Sequence, residues 1–258
     1  MIGSLLALLA VVAMIVLGVR WMRLIRAVRI PADMRADLAA NLGIAALGVA
    51  ALIAGVGILG TVAAGLAIIG GLALPALYAG SGQGRRPAAV GVGEPIIPFT
   101  ATDDAGAPFD LAALRGRPLL IKFFRGHWCP YCVAELRRWE EMRLLLDAHR
   151  VAVVTVCADT AEQIRAGRAK HGLRAVMLPD PDLTLTDRYA LRNPRNFAPK
   201  PGVIIPLPIP TTILVDAGGI VRWIDQSTDY LHRSEPARVM AQIEAMVAEP
   251  RPRRSAVI

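Results

Sequence analysis

The stretch from residue 119 to residue 132 reads LLIKFFRGHWCPYC and joins a strand pattern to a helix pattern. Residues 119–124 form a short apolar run, which is typical of a buried strand. From Pro130 to Leu146, apolar residues recur at three- and four-residue spacing, which predicts an amphipathic helix. The two cysteines of the Cys-Pro-Tyr-Cys motif, Cys129 and Cys132, therefore lie where a helix is expected to begin.

This position gives the cysteines a chemical role. Backbone N–H groups at a helix N-terminus lack intrahelical acceptors and the helix dipole is positive there, so a thiolate at Cys129 is stabilised. Pro130 suits the first turn because its missing N–H would be unpaired there. Cys132 lies one turn later and is placed to close a disulfide with Cys129. We expect Cys129 to be the attacking thiol, with Arg125 and His127 adding positive charge or proton transfer.

Two cysteines at this spacing also occur as half of a zinc site, or as two unrelated thiols. A structural zinc ion needs four ligands, and the sequence has no second cysteine pair. Cys157 and the four histidines have no metal-binding spacing. We therefore expect redox chemistry with no metal and no cofactor. Cys157 follows VAVVTV, a second predicted strand, and is expected to be a small core residue.

The N-terminal third of the chain is suited to lipid. Residues 2–22 carry one charged residue, Arg20, and at about 1.5 Å per residue they can cross a hydrocarbon core. Residues 42–79 carry no charge and are too long for one straight span. We predict a membrane region over residues 1–79 whose three helices cover about residues 2–22, 39–56 and 60–79.

The break in the second apolar block is predicted at its glycines, Gly55, Gly57 and Gly60. One tilted span with apolar residues at the interface is the alternative. Small residues recur along this block and allow close helix packing inside a hairpin; the same pattern is compatible with an oligomer.

Positive charge near the helix ends predicts which side the chain faces. Five arginines lie between residues 20 and 35, so this loop is expected in the cytoplasm. With three spans, Arg85 and Arg86 also lie in the cytoplasm. We predict a multi-pass protein of the cell inner membrane with its redox domain in the cytoplasm. A two-span topology would place that domain in the periplasm.

The rest of the chain is predicted to be a linker followed by one α/β domain. Residues 80–87 read GSGQGRRP, a flexible tether without the lysine and serine of a phosphate-binding loop. Residues 88–258 alternate short apolar runs with amphipathic segments. Residues 193–208 contain five prolines and are expected to be irregular. Most of the net charge of +8 lies beside the membrane blocks, which favours a lipid bilayer and not nucleic acid as partner.

Four stretches together resemble the peroxiredoxin-like proteins of the alkyl hydroperoxide reductase and thiol-specific antioxidant family, the redoxin branch of the thioredoxin fold. They are FFRGHWCPYC, VVTVCADTAEQIRAGRAKHGL, LPDPDLTLTDRYAL and IPTTILVDAGGIVRWID, and the resemblance covers residues 95 to about 248. It implies a thioredoxin-like α/β fold, a central mixed sheet flanked by helices. It also implies a cis peptide bond at Pro210, facing the cysteines, and a supporting role for Trp128 of the motif.

The chain departs from this family in residues that bear on peroxide chemistry. Ordinary peroxiredoxins carry a proline seven residues, and a threonine or serine three residues, before the peroxidatic cysteine. Counting back from Cys132 gives Arg125 and Cys129; counting back from Cys129 gives Lys122 and Gly126. Thioredoxins also bury a carboxylate under the motif, where this strand offers only phenylalanine and lysine, so another group has to carry the proton.

Two classes of function stay open. The first is an enzyme, a membrane-anchored thiol–disulfide oxidoreductase or thiol-dependent peroxidase with an antioxidant or redox-homeostasis role. It would use a thiol electron donor, thioredoxin or a small thiol, and a hydroperoxide or protein disulfide as substrate. The second is a non-enzymatic redox sensor or assembly factor in a membrane complex, which uses the same disulfide as a switch.

Overall fold

The computed structural model of the protein describes residues 1–84, 86–197 and 204–248. The chain divides into two compact units. The first contains Met1–Gln83 and the short segment Asp229–Leu231, and the second contains Gly84–Thr228 and His232–Ile258. The first unit is built from three helices: α1 (Ile2–Ala27), α2 (Arg35–Ile53) and α3 (Ile58–Ala79).

All three helices are long and apolar enough to cross a membrane. The uncharged block of the sequence is divided between α2 and α3, and Gly55 in the connecting turn has a φ of +79°, a conformation that favours glycine. α2 begins at Arg35, four residues before its predicted start, because hydropathy alone excludes its charged first turn. α1 likewise continues to Ala27, beyond residue 22, where the predicted span ends.

An ion pair explains how charge is accommodated between these helices. Arg20 of α1 pairs with Asp37 of α2, whose side chain is buried. Asn41, one turn further along α2, donates a hydrogen bond to the backbone carbonyl of Asp37 at 2.8 Å. Charged side chains in such helices are expensive unless they are paired, so this contact fixes how α1 packs against α2.

The packing of α2 against α3 depends on glycine. A Cβ atom added at Gly71 of α3 would lie 2.6 Å from the carbonyl oxygen of Asn41 and 2.7 Å from the backbone nitrogen of Ala45. A Cβ atom at Gly65 of the same helix would meet nothing within 4 Å. The backbones of α2 and α3 therefore touch at Gly71.

We predict that Gly71→Leu destabilises the helical unit, whereas Gly65→Leu does not. Forcing a large side chain into a closely packed contact costs about 1–3 kcal/mol. Thermal unfolding of the purified full chain in detergent, followed by circular dichroism, measures the difference. Gly65→Leu is the control, since it adds the same side chain to the same helix. Equal melting temperatures for the two variants would contradict the close contact at Gly71.

The second unit is built around a five-stranded mixed sheet with helices on its faces. Its strands, including two short two-stranded sheets, are β1 (Thr100–Thr102), β2 (Pro108–Asp110), β3 (Leu119–Phe124), β4 (Ala152–Cys157), β5 (Val176–Pro179), β6 (Arg192–Phe197), β7 (Ile204–Pro208), β8 (Thr211–Val215) and β9 (Val221–Gln226). Its helices are α4 (Pro130–Glu141), α5 (Arg143–Ala148), α6 (Ala161–His171), α7 (Thr184–Arg188) and α8 (Pro236–Ala248).

The strand predicted from LLIKFF lies at the centre of the sheet. The strand order is β5-β4-β3-β8-β9, in which β3 runs parallel to β4 and antiparallel to β8. All six residues of β3 are buried. Leu120 and Phe124 pack into the same apolar cluster as the motif cysteines, whereas residues 119, 121 and 123 pack on the opposite face. Strand alternation therefore turns Lys122 towards the face that carries α4.

Two sequence expectations about the second unit are wrong. The helix predicted over residues 130–146 is two helices, because Met142 leaves the helical conformation with φ −87° and ψ 6°. The stretch expected to be irregular contains the paired strands β6 and β7, with residues 198–203 outside the described part. The register shifts between Asn193 and Asn196. Pro194 lies within this irregularity, where a missing N–H is tolerated.

Candidate active site

The two cysteines of the motif lie at the start of α4, just after the turn that follows the central strand β3. Cys129 is the residue that precedes α4, in an extended conformation, and Pro130 is the first residue of the helix. Cys132 lies in the first helical turn. The exposed fraction is 2% for Cys129 and 0% for Cys132, so both thiols are buried. The predicted position of the motif at a helix start is thus observed.

The turn between β3 and α4 is held by a glycine and a carboxylate. A Cβ atom at Gly126 would lie 2.5 Å from Asp159 Oδ1 and 2.6 Å from Trp128 Nε1, so this position has no room for a side chain. Asp159 Oδ2 accepts hydrogen bonds from the backbone N–H of His127 at 2.6 Å and lies 2.8 Å from its Nδ1. Asp159 therefore fixes the turn that presents the cysteines.

Three other predicted site residues have distinct positions. The His127 imidazole binds Asp159, which places it as a structural group and not as the partner of a motif sulfur. The Arg125 guanidinium lies 4.9 Å from the centre of the Trp128 ring. The backbone N–H of Arg125 donates a hydrogen bond to Cys132. Arg125 and Trp128 thus pack together beside the motif, with Arg125 adding positive charge near Cys129.

Arg233, which the sequence did not single out, contacts both sulfurs. Its Nη2 atom lies 3.2 Å from Cys132 Sγ and 3.6 Å from Cys129 Sγ. Arg233 is 8% exposed and lies in the loop between β9 and α8. It is separated from the motif by about a hundred residues, so no local pattern in the sequence points to it.

The electrostatics of the thiol pair differ from the expectation. Burial raises the pKa of Cys132, but the hydrogen bond from Cys129 and the charge of Arg233 outweigh burial and hold that pKa well below its ordinary value. The pKa of Cys129 is raised, because its thiol donates to Cys132 and because it is buried. In this arrangement the lower pKa belongs to Cys132 and not, as expected, to Cys129, because the Cys129 thiol donates to Cys132 and because the guanidinium lies nearer to Cys132.

A buried carboxylate lies under the motif, although not on the strand. Glu135 of α4 is 0% exposed, and its Oε1 atom accepts hydrogen bonds from Lys122 Nζ at 2.7 Å and from the backbone N–H of Ser234 at 3.2 Å. Lys122 Nζ also donates to Thr212 Oγ1 at 3.0 Å. Burial raises the pKa of Glu135 despite the nearby charges of Lys122 and Arg233. Glu135 is thus a proton-binding group close to the thiol pair.

Pro210 lies at the expected end of the sheet but not in the expected isomer. It immediately precedes β8, whose first residue, Thr211, pairs with Phe123 near the end of β3 that leads to the motif. The described residues contain no cis peptide bond, so the bond between Ile209 and Pro210 is trans. The trans form of such a bond is favoured by about 0.5–1 kcal/mol, and a proline at a strand start needs no other isomer.

One group of side chains has the atom types of a metal site. Ligand atoms of His127, Cys157 and Asp159 all lie within 4.8 Å of one another. Cys157 is fully buried and packs in the same apolar cluster as the motif cysteines, as expected for a core residue. The carboxylate of Asp159 already receives two N–H groups of His127.

Comparison with known proteins places this architecture in a family. The model of the AhpC/TSA family matches residues 92–224, just over half of the chain. The chain belongs to the AhpC/TSA family. The predicted family and the thioredoxin-like fold are both confirmed. The matched range includes the motif and strands β1 to β8, whereas Arg233 and the three N-terminal helices lie outside it.

Individual AhpC/TSA-like relatives are distant. The soluble secreted antigen MPT53 of Mycobacterium tuberculosis is 32% identical over 108 residues, 42% of this chain and 61% of its own length. The chain thus spans less than two thirds of that relative. A putative peroxiredoxin, bcp, of Coxiella burnetii is 25% identical over 130 residues, 50% of this chain and 84% of its own length.

Solved structures support the same fold. The peroxidoxin BcpB of Mycobacterium tuberculosis superposes with a TM-score of 0.52 at 18% identity, covering 61% of this chain and 98% of that one. A bacterioferritin comigratory protein of Xanthomonas campestris gives a TM-score of 0.50, also at 18% identity, and covers 61% and 98%. At these identities the likeness concerns the fold of the second unit.

The site residues that the sequence missed differ in how readily they could have been found. Glu135 lies three residues after Cys132 and four before Trp139, so helical spacing alone places it on the buried face of α4. Lys122 lies on the same face of β3 as Leu120 and Phe124, the face towards α4, so strand alternation indicates its position. Arg233 has no such signal, because a loop outside regular structure supplies it.

We predict that Lys122→Met strongly destabilises the protein, because it leaves the Glu135 carboxylate buried without its cation. Removing one partner of a buried ion pair costs about 3–5 kcal/mol. The midpoint of guanidinium unfolding of the full chain in detergent, followed by tryptophan fluorescence, measures this loss. Arg192→Met is the control, since its pair with Asp187 is exposed and worth below about 1 kcal/mol. The double variant Lys122→Met, Glu135→Leu should recover most of the stability; a loss equal to that of the single variant would contradict this interpretation.

We also predict that the reduced protein ionises one thiol below the ordinary cysteine range. Thiolate absorbance at 240 nm, titrated on the full chain, should rise at low pH in the wild type and in Cys157→Ser, because burial raises the pKa of Cys157. The low-pH step should vanish in Cys132→Ser. Its persistence there would assign the thiolate to another residue.

The same shift predicts how stability depends on pH. The folded-state pKa of Cys132 lies below its unfolded-state value. The thiolate therefore stabilises the reduced protein above the unfolded-state pKa, and this contribution is lost as the pH falls through the lowered pKa.

Proposed function

We propose that this AhpC/TSA protein is a membrane-anchored thiol–disulfide oxidoreductase whose Cys129 and Cys132 cycle between a dithiol and a disulfide. The observation that carries the proposal is the contact of one buried guanidinium with both sulfurs, at 3.2 and 3.6 Å. A cation in this position stabilises a thiolate, which is the reactive form of cysteine. Membership of a family of thiol-dependent redox proteins supports the same chemistry.

Cys129 is the proposed attacking thiol. It precedes α4 and retains slight exposure, whereas Cys132 lies inside the first turn and is fully covered. The hydrogen bond between the two thiols gives the proton a path from Cys129 to Cys132, which moves the negative charge to Cys129 while Arg233 remains beside it. The Cys129 thiolate then attacks a substrate disulfide and forms a mixed disulfide, releasing one substrate thiolate.

Cys132 is the proposed resolving thiol. Its sulfur attacks Cys129 in the mixed disulfide, which releases the second substrate thiol and leaves the Cys129–Cys132 disulfide. The attack requires Cys132 to lose its proton. Glu135 is suited to accept that proton, because it is buried, is coupled in charge to Cys132 and has a raised pKa. An external thiol donor, thioredoxin or a small thiol, then returns the pair to the reduced form.

Hydroperoxide reduction is the second candidate, favoured by membership of the AhpC/TSA family. Gly126 and Cys129 occupy the positions three residues before the two motif cysteines, so neither supplies a hydroxyl group to orient a peroxide. Turnover separates both enzymatic functions from the redox sensor or assembly factor. Reduction of an insulin disulfide and consumption of hydrogen peroxide, measured side by side with excess dithiothreitol, distinguish the three. If the wild type consumes neither substrate faster than the Cys129→Ser variant does, the redox sensor or assembly factor is favoured.

We predict that Cys132→Ser traps a mixed disulfide on Cys129. Without a resolving thiol the intermediate cannot collapse, so incubation of the reduced full chain with a disulfide substrate should give a stable adduct. Peptide mapping by mass spectrometry without reductant identifies the modified residue. Cys157→Ser is the matched control and should accumulate no adduct. An adduct on Cys132 in Cys129→Ser, with none on Cys129 in Cys132→Ser, would reverse the two roles.

We propose that the protein is anchored in the inner membrane by α1, α2 and α3, with the redox unit in the cytoplasm. The length and apolar composition of the helices support three spans. The arginines between residues 20 and 35, together with Arg86, support the cytoplasmic side. The periplasmic arrangement of a two-span protein is the alternative.

Labelling of single cysteines in intact cells tests this topology. In a chain without its three native cysteines, Ala54→Cys in the turn between α2 and α3 should react with a membrane-impermeant maleimide. Ala105→Cys in the exposed turn between β1 and β2 should react only after lysis. Reaction of Ala105→Cys in intact cells would place the redox unit outside.

A further inference from the structure

The loop that carries Arg233 is fixed by hydrogen bonds on both sides of that residue. The carbonyl of His232 accepts from Ser227 Oγ at 2.9 Å. The backbone N–H of Ser234 donates to Glu135 Oε1 at 3.2 Å, and its hydroxyl lies 2.9 Å from Thr212 Oγ1. The guanidinium is therefore held at the sulfurs by the sheet and by α4 before any substrate arrives.

The charge of Arg233 acts differently on the two redox states of the cysteines. In the reduced state the two sulfurs lie 3.2 and 3.6 Å from the guanidinium, so a thiolate on either one is attracted to it in a buried setting. In the oxidised state the sulfurs carry no charge, so this attraction is absent. An attraction that is present only in the reduced state shifts the equilibrium towards the reduced state.

The other buried charges near the sulfurs do not cancel this effect. Glu135 would repel a thiolate, but its Oε1 atom lies 2.7 Å from Lys122 Nζ, which neutralises much of its charge. Arg125 also lies close enough to lower the pKa of Cys129 by its charge. The charged groups that face the sulfurs from β3, α4 and the Arg233 loop therefore favour a thiolate on balance.

We propose that Arg233 makes the Cys129–Cys132 disulfide an oxidant, so that the site accepts electrons from protein or peptide dithiols. This inference rests on the proposed cycling of Cys129 and Cys132 between dithiol and disulfide, and it favours the direction in which the substrate is a dithiol over the reduction of a substrate disulfide described above. A disulfide whose reduced form is stabilised is the easier to reduce, and it oxidises dithiols that a more stable disulfide would leave reduced. Arg233 is thus a catalytic residue that touches both reacting sulfurs.

Electron transfer in this direction takes two successive thiol–disulfide exchanges. A substrate thiolate attacks Cys129 Sγ, the Cys129–Cys132 bond breaks, and Cys132 leaves as a thiolate beside Arg233. The second substrate thiol loses its proton and attacks the substrate sulfur of the mixed disulfide. Cys129 leaves and takes up one proton, while the other proton passes to solvent. Two electrons have moved from the substrate dithiol to the cysteine pair.

The equilibrium with glutathione tests the proposal. The purified full chain in detergent, carrying Cys157→Ser so that two cysteines remain, is equilibrated with mixtures of reduced and oxidised glutathione, and the disulfide fraction is read by alkylation and mass spectrometry. Arg233→Gln should stabilise the disulfide at least tenfold, which corresponds to about 30 mV. Arg233→Lys should retain most of the wild-type value. Arg238→Gln, which changes an exposed side chain of α8, is the matched control and should change nothing.

A second measurement does not depend on the variants folding. The wild-type disulfide should be at least tenfold less stable than that of thioredoxin measured in the same buffers, and it should oxidise a synthetic two-cysteine peptide stoichiometrically in a single turnover. A disulfide as stable as that of thioredoxin, or one unaffected by Arg233→Gln in a folded variant, would overturn the inference. Rapid oxidation by hydrogen peroxide without peptide oxidation would also overturn it. Failure to form a reversible Cys129–Cys132 disulfide would instead overturn the proposed function.

Discussion

A lysine and a glutamate without solvent contact constrain the whole redox unit. Lys122 lies on the central strand and Glu135 on the motif helix, and each ion would be strongly disfavoured in this interior without the other. Their contact at 2.7 Å therefore fixes the position of α4 on the sheet, and with it the position of the cysteines at the start of α4. Ser234 adds a backbone donor to the same carboxylate, so the loop that carries Arg233 is aligned by the same group.

The chemistry of the site follows from this alignment. Burial alone would keep both thiols protonated and unreactive. For Cys132, three effects outweigh burial and lower the pKa. They are the hydrogen bond between the thiols, the charge of the Arg233 guanidinium and the backbone N–H of Arg125. The charge distribution thus favours one thiolate and one thiol, which is the state that the proposed exchange with a disulfide requires. The carboxylate beneath them is positioned to exchange the remaining proton.

Sequence reasoning reached the parts of this design that are local. A short apolar run identified β3, and the junction of strand and helix placed Cys129 at a helix start. Thr160 and Gln163 form a capping box at the start of α6, which is a local signal of the same kind. The contacts that tune the thiols are not local. Arg233 and Ser234 reach the motif only through the pairing of β8 with β3 and the return of the chain after β9, and no periodicity encodes that path. The predicted order of the two thiol pKa values was wrong in part for the same reason, because the charge of Arg233 beside Cys132 comes from outside the motif.

Arg233 and Ser234 are adjacent in the chain, so one dipeptide supplies both the cation at the sulfurs and a backbone donor to Glu135. Arg233 places a positive charge at the sulfurs, and the backbone N–H of Ser234 donates to the Glu135 carboxylate, the proposed acceptor of their proton. A shift of this dipeptide by a single position, through an insertion or deletion between β9 and α8, would replace both contacts at once. A substitution at Arg233 would therefore change one of the two contacts, whereas a change in loop length would change both.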